Sequence, residues 1–258
     1  MLIINADDWG RSVAETDAAF RCYKEGRITS VSAMVFMEDS ERAADLANEN
    51  QIDVGLHLNF SEPFSASRTT LKTAHDRTVA FLRRNKYAQL LYNPFLREAF
   101  SDCYRAQAEE FMRLYGKSPS HVDGHHHMHL CANLVFNAII PAGTKVRRNF
   151  SFWPGEKSFL NRAYRAIIDR WLAHKYQMTD YFFDLSQCIE EDKFDRVVML
   201  ANSGDAEIMT HPVLSSEVDY LLGDTFGALL QQVQVGGYGE MVWPAINRKK
   251  GRAAATSC

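Results

Sequence analysis

Three apolar runs separated by two short amphipathic stretches fill the first sixty residues, and that alternation restricts the fold more than any other feature of the chain. Leu2-Ile3-Ile4, Ile28–Phe36 and Ile52–Phe60 read as strands. Between the first two, Ser12 with Glu15 three residues later forms a capping box that opens a helix, and Gly26 supplies its stop. Ser40-Glu41-Arg42 opens a second helix, which runs to about Asn48. Strand, helix, strand, helix, strand is the pattern of βαβ units in a parallel sheet.

The pattern continues with interruptions. Residues 61–76 are polar, contain Pro63 and read as a long loop, and a helix follows from about Asn93 to Tyr115, where Gly116 and then Pro119 stop it. Beyond the segment 120–129 the spacing predicts a helix over 132–142, a short strand at Lys145–Arg148 and a helix over 158–175. Then come a strand at 181–185, a helix over 192–201, a strand at 206–210, a helix over 215–233 and a last strand at Glu240–Trp243. About eight strands alternating with helices predict an α/β fold, a single-domain TIM-like (β/α) barrel in regular or distorted form. A doubly wound open sheet is the alternative. The barrel is expected over residues 1–246, with 247–258 as a flexible C-terminal tail.

A chain of 258 residues can bury one sizeable core. A net charge of −3 gives no electrostatic reason to expect nucleic acid or an anionic membrane as partner, and no apolar run approaches the ~20 residues of a membrane span. The first residues enter a strand with no basic leader before them, and the five cysteines (Cys22, Cys103, Cys131, Cys188, Cys258) are scattered without CxxC spacing. The expectation is a reducing cytoplasm, with a homodimer compatible with everything in the sequence.

Chemistry concentrates at strand ends. Five of the nine histidines lie in His121-Val-Asp-Gly-His-His-His-Met-His129. On a strand, His121, Asp123 and His125 share one face, and a carboxylate beside an imidazole can orient it as a ligand for a divalent cation. Asp7-Asp8 places two carboxylates at the end of the first strand, where parallel α/β folds assemble their sites and where a cation relieves like-charge repulsion. His57 ends the third strand, His211 follows the strand at 206–210, and Arg147 brings a fixed cation. Each has a bland reading as turn, rim or surface residue; their coincidence at strand ends points to one site.

These residues resemble the YdjC/ChbG family of carbohydrate deacetylases. The matching segments are Asn5-Ala6-Asp7-Asp8-Trp9-Gly10, Gly55-Leu56-His57 and the His121–His129 run, in the family's order and spacing. The resemblance implies a TIM-like barrel, one divalent metal ion and removal of acetyl groups from N-acetylated sugars. It assigns Asp8, His57 and His125 as metal ligands and Asp7 as general base. It suggests Mg²⁺, whereas a mixed Asp/His set suits Zn²⁺, iron, cobalt or manganese better. Residue type, position and analogy with polysaccharide deacetylases make His211 the candidate proton donor to the departing amine; Arg147, as a fixed cation, is the candidate to keep Asp7 ionised. Trp9, Phe60, His127 and Trp153 are candidates to bind the sugar. The rival readings are a metal hydrolase of another amide, ester or phosphate, a non-catalytic metal- or glycan-binding protein on the same fold, and a structural protein with a metal-buffering loop.

Overall fold

A computed structural model describes residues 1–65, 69–152, 155–156 and 158–241. Trp153, the proposed tail 247–258 and the second half of the strand expected at Glu240–Trp243 lie outside these residues; Glu240 itself ends a 3₁₀ turn, Tyr238–Glu240. Six strands form one parallel sheet: β1 Leu2–Trp9, β2 Ser30–Ala33, β3 Asp53–Leu58, β4 Val122–Gly124, β5 Tyr181–Asp184 and β6 Ala206–Thr210. Every residue of β1, β2, β4 and β6 is buried, as expected of parallel strands covered on both faces.

Helices link and cover the strands. In chain order they are α1 Val13–Lys24, α2 Ser40–Glu49, α3 Thr69–Leu82, α4 Arg97–Tyr115, α5 Ala132–Phe136, α6 Phe159–Leu172, α7 Leu185–Glu190, α8 Phe194–Ser203, α9 Ser215–Leu222 and α10 Asp224–Leu230. Ser12 caps α1 as its sequence predicts, accepting from the Ala14 N–H at 3.2 Å and pairing with Glu15. Gly116 ends α4 at φ +65°, a conformation that costs a side-chain-bearing residue more than glycine. Three helix expectations are corrected. The segment expected as a loop over 61–76 enters α3 at Thr69, the helix expected over 132–142 ends at Phe136, and the one expected over 215–233 breaks at Gly223.

The order across the sheet is β4-β3-β2-β1-β6-β5. Its two edges are bridged by the segment 144–151. On one side Val122 N–H donates to Lys145 O (2.8 Å) and Arg147 N–H to Val122 O (3.1 Å). On the other, Val146 N–H donates to Gln177 O (2.8 Å) and Ser151 N–H to Phe182 O (2.8 Å). Read as a ring, the order then follows the chain from β1 round to β6, as in a singly wound barrel; a doubly wound sheet would reverse direction part-way. The distorted TIM-like barrel is therefore the architecture. The strand expected at Lys145–Arg148 is present as isolated bridges, and the sheet holds six strands where about eight were expected. Among the described residues no helix is long and apolar enough to cross a membrane.

Candidate metal centre

The site assembles at the C-terminal ends of β1, β3 and β4. A regular strand would send Asp7 and Asp8 to opposite faces. The register of β1 against β2 slips between Ala6 and Trp9, and Asp8 takes a left-handed conformation (φ 64°). That bulge lets both carboxylates serve one cavity. β3 carries His57 to the same level, and the register of β3 on β4 sets His57 beside Asp123. Directly after β4, His125 enters a 3₁₀ stretch in which His126 and His127 are left-handed (φ 52° and 58°), a costly geometry for residues other than glycine.

One oxygen or ring nitrogen each from Asp8, His57 and His125 fall within 4.8 Å of one another. His57 Nε2 lies 3.4 Å and His125 Nδ1 2.9 Å from Asp8 Oδ1. All three side chains are buried, and Asp8 Oδ1 and His57 Nε2, which face each other, have no well-aligned hydrogen-bond partner among the described residues. Buried polar atoms without partners are costly, and these two meet where His125 Nδ1 also arrives, while His125 Nε2 faces Glu62 Oε1 at 3.2 Å. His57 Nδ1 faces Asp123 Oδ1 at 2.9 Å, which fixes the tautomer and directs the Nε2 lone pair at Asp8. Burial acts against a charge on His57, but the Asp123 and Asp7 carboxylates outweigh it and push its pKa up to about 10. A position that holds a proton so firmly also favours a divalent cation. The donor set and the charge therefore fit a metal ion. Two further groups, Asp7–His57–Asp123 and Glu62–His125–His126, are also close enough to hold one. The first is already taken by a fixed cation, Arg147.

Arg147 is wholly buried, so its bland reading as a surface residue fails. Its guanidinium clamps Asp7 through two bonds of 2.7 Å and reaches Asp123 Oδ2 (2.7 Å) and Glu207 Oε1 (2.8 Å). Asn5 Nδ2 donates to Asp7 Oδ1 (2.9 Å). Burial opposes charge on Asp7, yet the Arg147 guanidinium outweighs it and holds the carboxyl below the usual range, which favours its ionised form. His211 lines a small depression with Asp7, Asp8, Glu15, Pro212 and Val213, its backbone N–H held by Glu217 Oε2 (2.6 Å).

The sugar-binding candidates divide. Trp9 is fully buried, with Nε1 donating to Ala43 O at 3.0 Å, and Phe60 is fully buried against Phe100. Neither can meet a ligand, and both expectations are corrected: the bulge that presents Asp8 turns Trp9 into the core. His127 is half-buried beside Phe150, with ring centroids 4.7 Å apart, and burial pushes its pKa down to about 3. Glu62, Glu207 and Asn5 were missed. A signal existed for Glu207, a charged residue inside the apolar run Ala206–Thr210, and for Glu62, four residues beyond a strand end.

With this geometry in place, the comparisons are decisive on family. The model of the YdjC-like protein family matches residues 1–236. The chain belongs to that family. Among its relatives are a mouse protein named carbohydrate deacetylase, 28% identical over 82% of this chain and 77% of its own length. Another is a Proteus mirabilis chitooligosaccharide deacetylase, 27% identical over 82% of this chain and 81% of its own. A crystal structure of an Enterococcus faecalis protein named for cellobiose-phosphate cleavage superposes with a TM-score of 0.63 at 17% identity, over 92% of this chain and 97% of that one. At that identity the match speaks for the fold alone. This YdjC-like chain thus gathers Asp8, His57 and His125 at its strand ends, with Glu62 and His211 beside them and Arg147 and Glu207 in the ring interior behind.

Proposed function

We propose that this chain is a metal-dependent hydrolase that removes the acetyl group from an N-acetylated sugar or oligosaccharide, with one divalent cation held by Asp8, His57 and His125. The observation that carries the reading is the convergence of Asp8, His57 and His125, from three strand ends distant in sequence: His57 Nε2 and His125 Nδ1 both face Asp8 Oδ1, a buried oxygen without a hydrogen-bond partner among the described residues. The names of its relatives support the substrate class. The cation, when bound, acidifies a water and polarises the acetyl carbonyl.

The chain's own residues do the rest. Asp7, ionised and fixed by Arg147 and Asn5, faces the cavity without being counted among the ligands and accepts the proton of the attacking water. The clamp that keeps Asp7 charged also lowers its basicity, so the cation must supply part of the driving force. Collapse of the tetrahedral adduct breaks the C–N bond, and the amine leaves with a proton that His211 donates from the rim. Arg147 stays charged throughout and balances Asp7, Asp123 and Glu207. The products are acetate and the free amino sugar.

The test is acetate release from a panel of N-acetylated oligosaccharides, run on chelator-stripped protein and after addition of Zn²⁺, Mn²⁺, Co²⁺ or Mg²⁺. Activity lost on stripping and restored by one equivalent of cation is expected. Undiminished activity in the stripped protein would rule the proposal out.

A further inference from the structure

We propose that Glu62, strapped by Arg11, is a positioning residue that orients His125 toward the cation, as Asp123 orients His57. The inference rests on the ion-binding reading above and adds a role to two residues outside the ligand set.

The two ligand histidines are built alike. Each has one ring nitrogen near Asp8 Oδ1 and a carboxylate at the other: Asp123 Oδ1 at 2.9 Å from His57 Nδ1, and Glu62 Oε1 at 3.2 Å from His125 Nε2. Ligating imidazoles are commonly fixed by such a carboxylate on their second nitrogen. Their rigidity differs. Asp123 is fully buried and fixed by Arg147 and Ser32. Glu62 is about a quarter exposed and held by the partly exposed Arg11 through Nε–Oε2 (3.2 Å) and Nη2–Oε1 (3.0 Å). The backbone beneath it is nonetheless fixed. Asn59, fully buried just past β3, accepts from the Glu62 N–H (2.9 Å) and donates to its carbonyl (2.9 Å). Arg11 also reaches Asp8 Oδ2 at 3.4 Å. One guanidinium therefore ties the carboxylate behind His125 to the ligand Asp8, and the strap can set the spacing between two ligands. It ties a loop after β3 to the bulge after β1, which no single strand could do.

The test uses Co²⁺ as probe on the full chain, with affinity and stoichiometry from calorimetry and ligand geometry from the visible d–d bands. Glu62→Ala should weaken Co²⁺ binding ~10–100-fold and alter the bands, and Glu62→Gln, which keeps an acceptor, should lose less. The melting temperature of the metal-free protein should not change, because the side chain is partly solvated. Unchanged Co²⁺ affinity and bands in both variants would overturn the proposal. So would two ions per wild-type chain falling to one in Glu62→Ala, which would make Glu62 a ligand with His126 at a second ion. His125→Ala checks the underlying reading separately: if it binds Co²⁺ like wild type, the assignment of the centre fails rather than the role of Glu62.

Discussion

Asp7 and Asp8 are chemically identical neighbours with different surroundings, and the proposed division of base and ligand rests on that difference. Both oxygens of Asp7 are occupied by Arg147, whereas Asp8 keeps Oδ1 unpartnered between two imidazoles. Asp7→Asn should therefore retain the metal and lose ~10²–10⁴-fold in turnover, the usual worth of a general base. Metal content and acetate release measured on one preparation check this. An emptied site whose activity returns with added metal would exchange the two roles. His211 is tested by the leaving group. His211→Ala should slow the N-acetyl substrate more than an aryl acetate, whose leaving group needs no proton. Equal losses on both would make His211 a substrate-positioning residue. The sequence made the paired carboxylates, His57 and His125 legible because each sits at or just past a strand end, and Arg147 legible as a cation in a short β-like run that the structure keeps only as isolated bridges. It misled at Trp9 and Phe60, since an aromatic after a strand looks the same whether it faces a mouth or the core.

Among the elements, β1 and β3 carry most of the consequence. Alternation of strand and helix was legible from apolar runs and caps, and so was the level at which the site forms. Two things were not. The bulge at Asp8 depends on a backbone conformation that no side-chain pattern announces, and the segment 144–151 closes the ring with scattered bonds rather than a strand period. Gly55 on β3 offers a test of how tightly the elements are set. A methyl group there would overlap the His121 ring. That ring cannot easily retreat, because it stacks on Tyr238 at 3.8 Å and contacts Ser32 Oγ and Ser120 Oγ at 3.0 Å each. Gly55→Ala should cost about 1–3 kcal/mol of stability, the usual penalty for overpacking, read by urea denaturation. Unaltered stability would show that β3 and β4 can shift apart.

Across the whole molecule, Arg147 is the hub of a charge network that spans the ring interior from Asp7 on β1 to Asp123 on β4 and Glu207 on β6. Burial pushes the Glu207 carboxyl up from 4.5 to about 7, against the pull of Arg147. The folded chain then keeps a proton that the unfolded chain releases from about pH 4.5, so stability from this group falls as pH rises through that window. Glu207→Gln should remove that slope in unfolding experiments between pH 5 and 7.5, and an identical slope in both proteins would contradict it. Such a network is costly to bury, and its location behind the ligands suits a scaffold that holds Asp7 and His57 rather than one built for stability. The central claim is that this scaffold brings three donors to one ion. Anomalous diffraction from crystals grown with Zn²⁺ or Co²⁺ tests it most directly. The account predicts one peak with an atom each of Asp8, His57 and His125 at ~2.0–2.2 Å. A peak held instead by Glu62 and His126, or one that leaves any of the three donors pointing away, would contradict it.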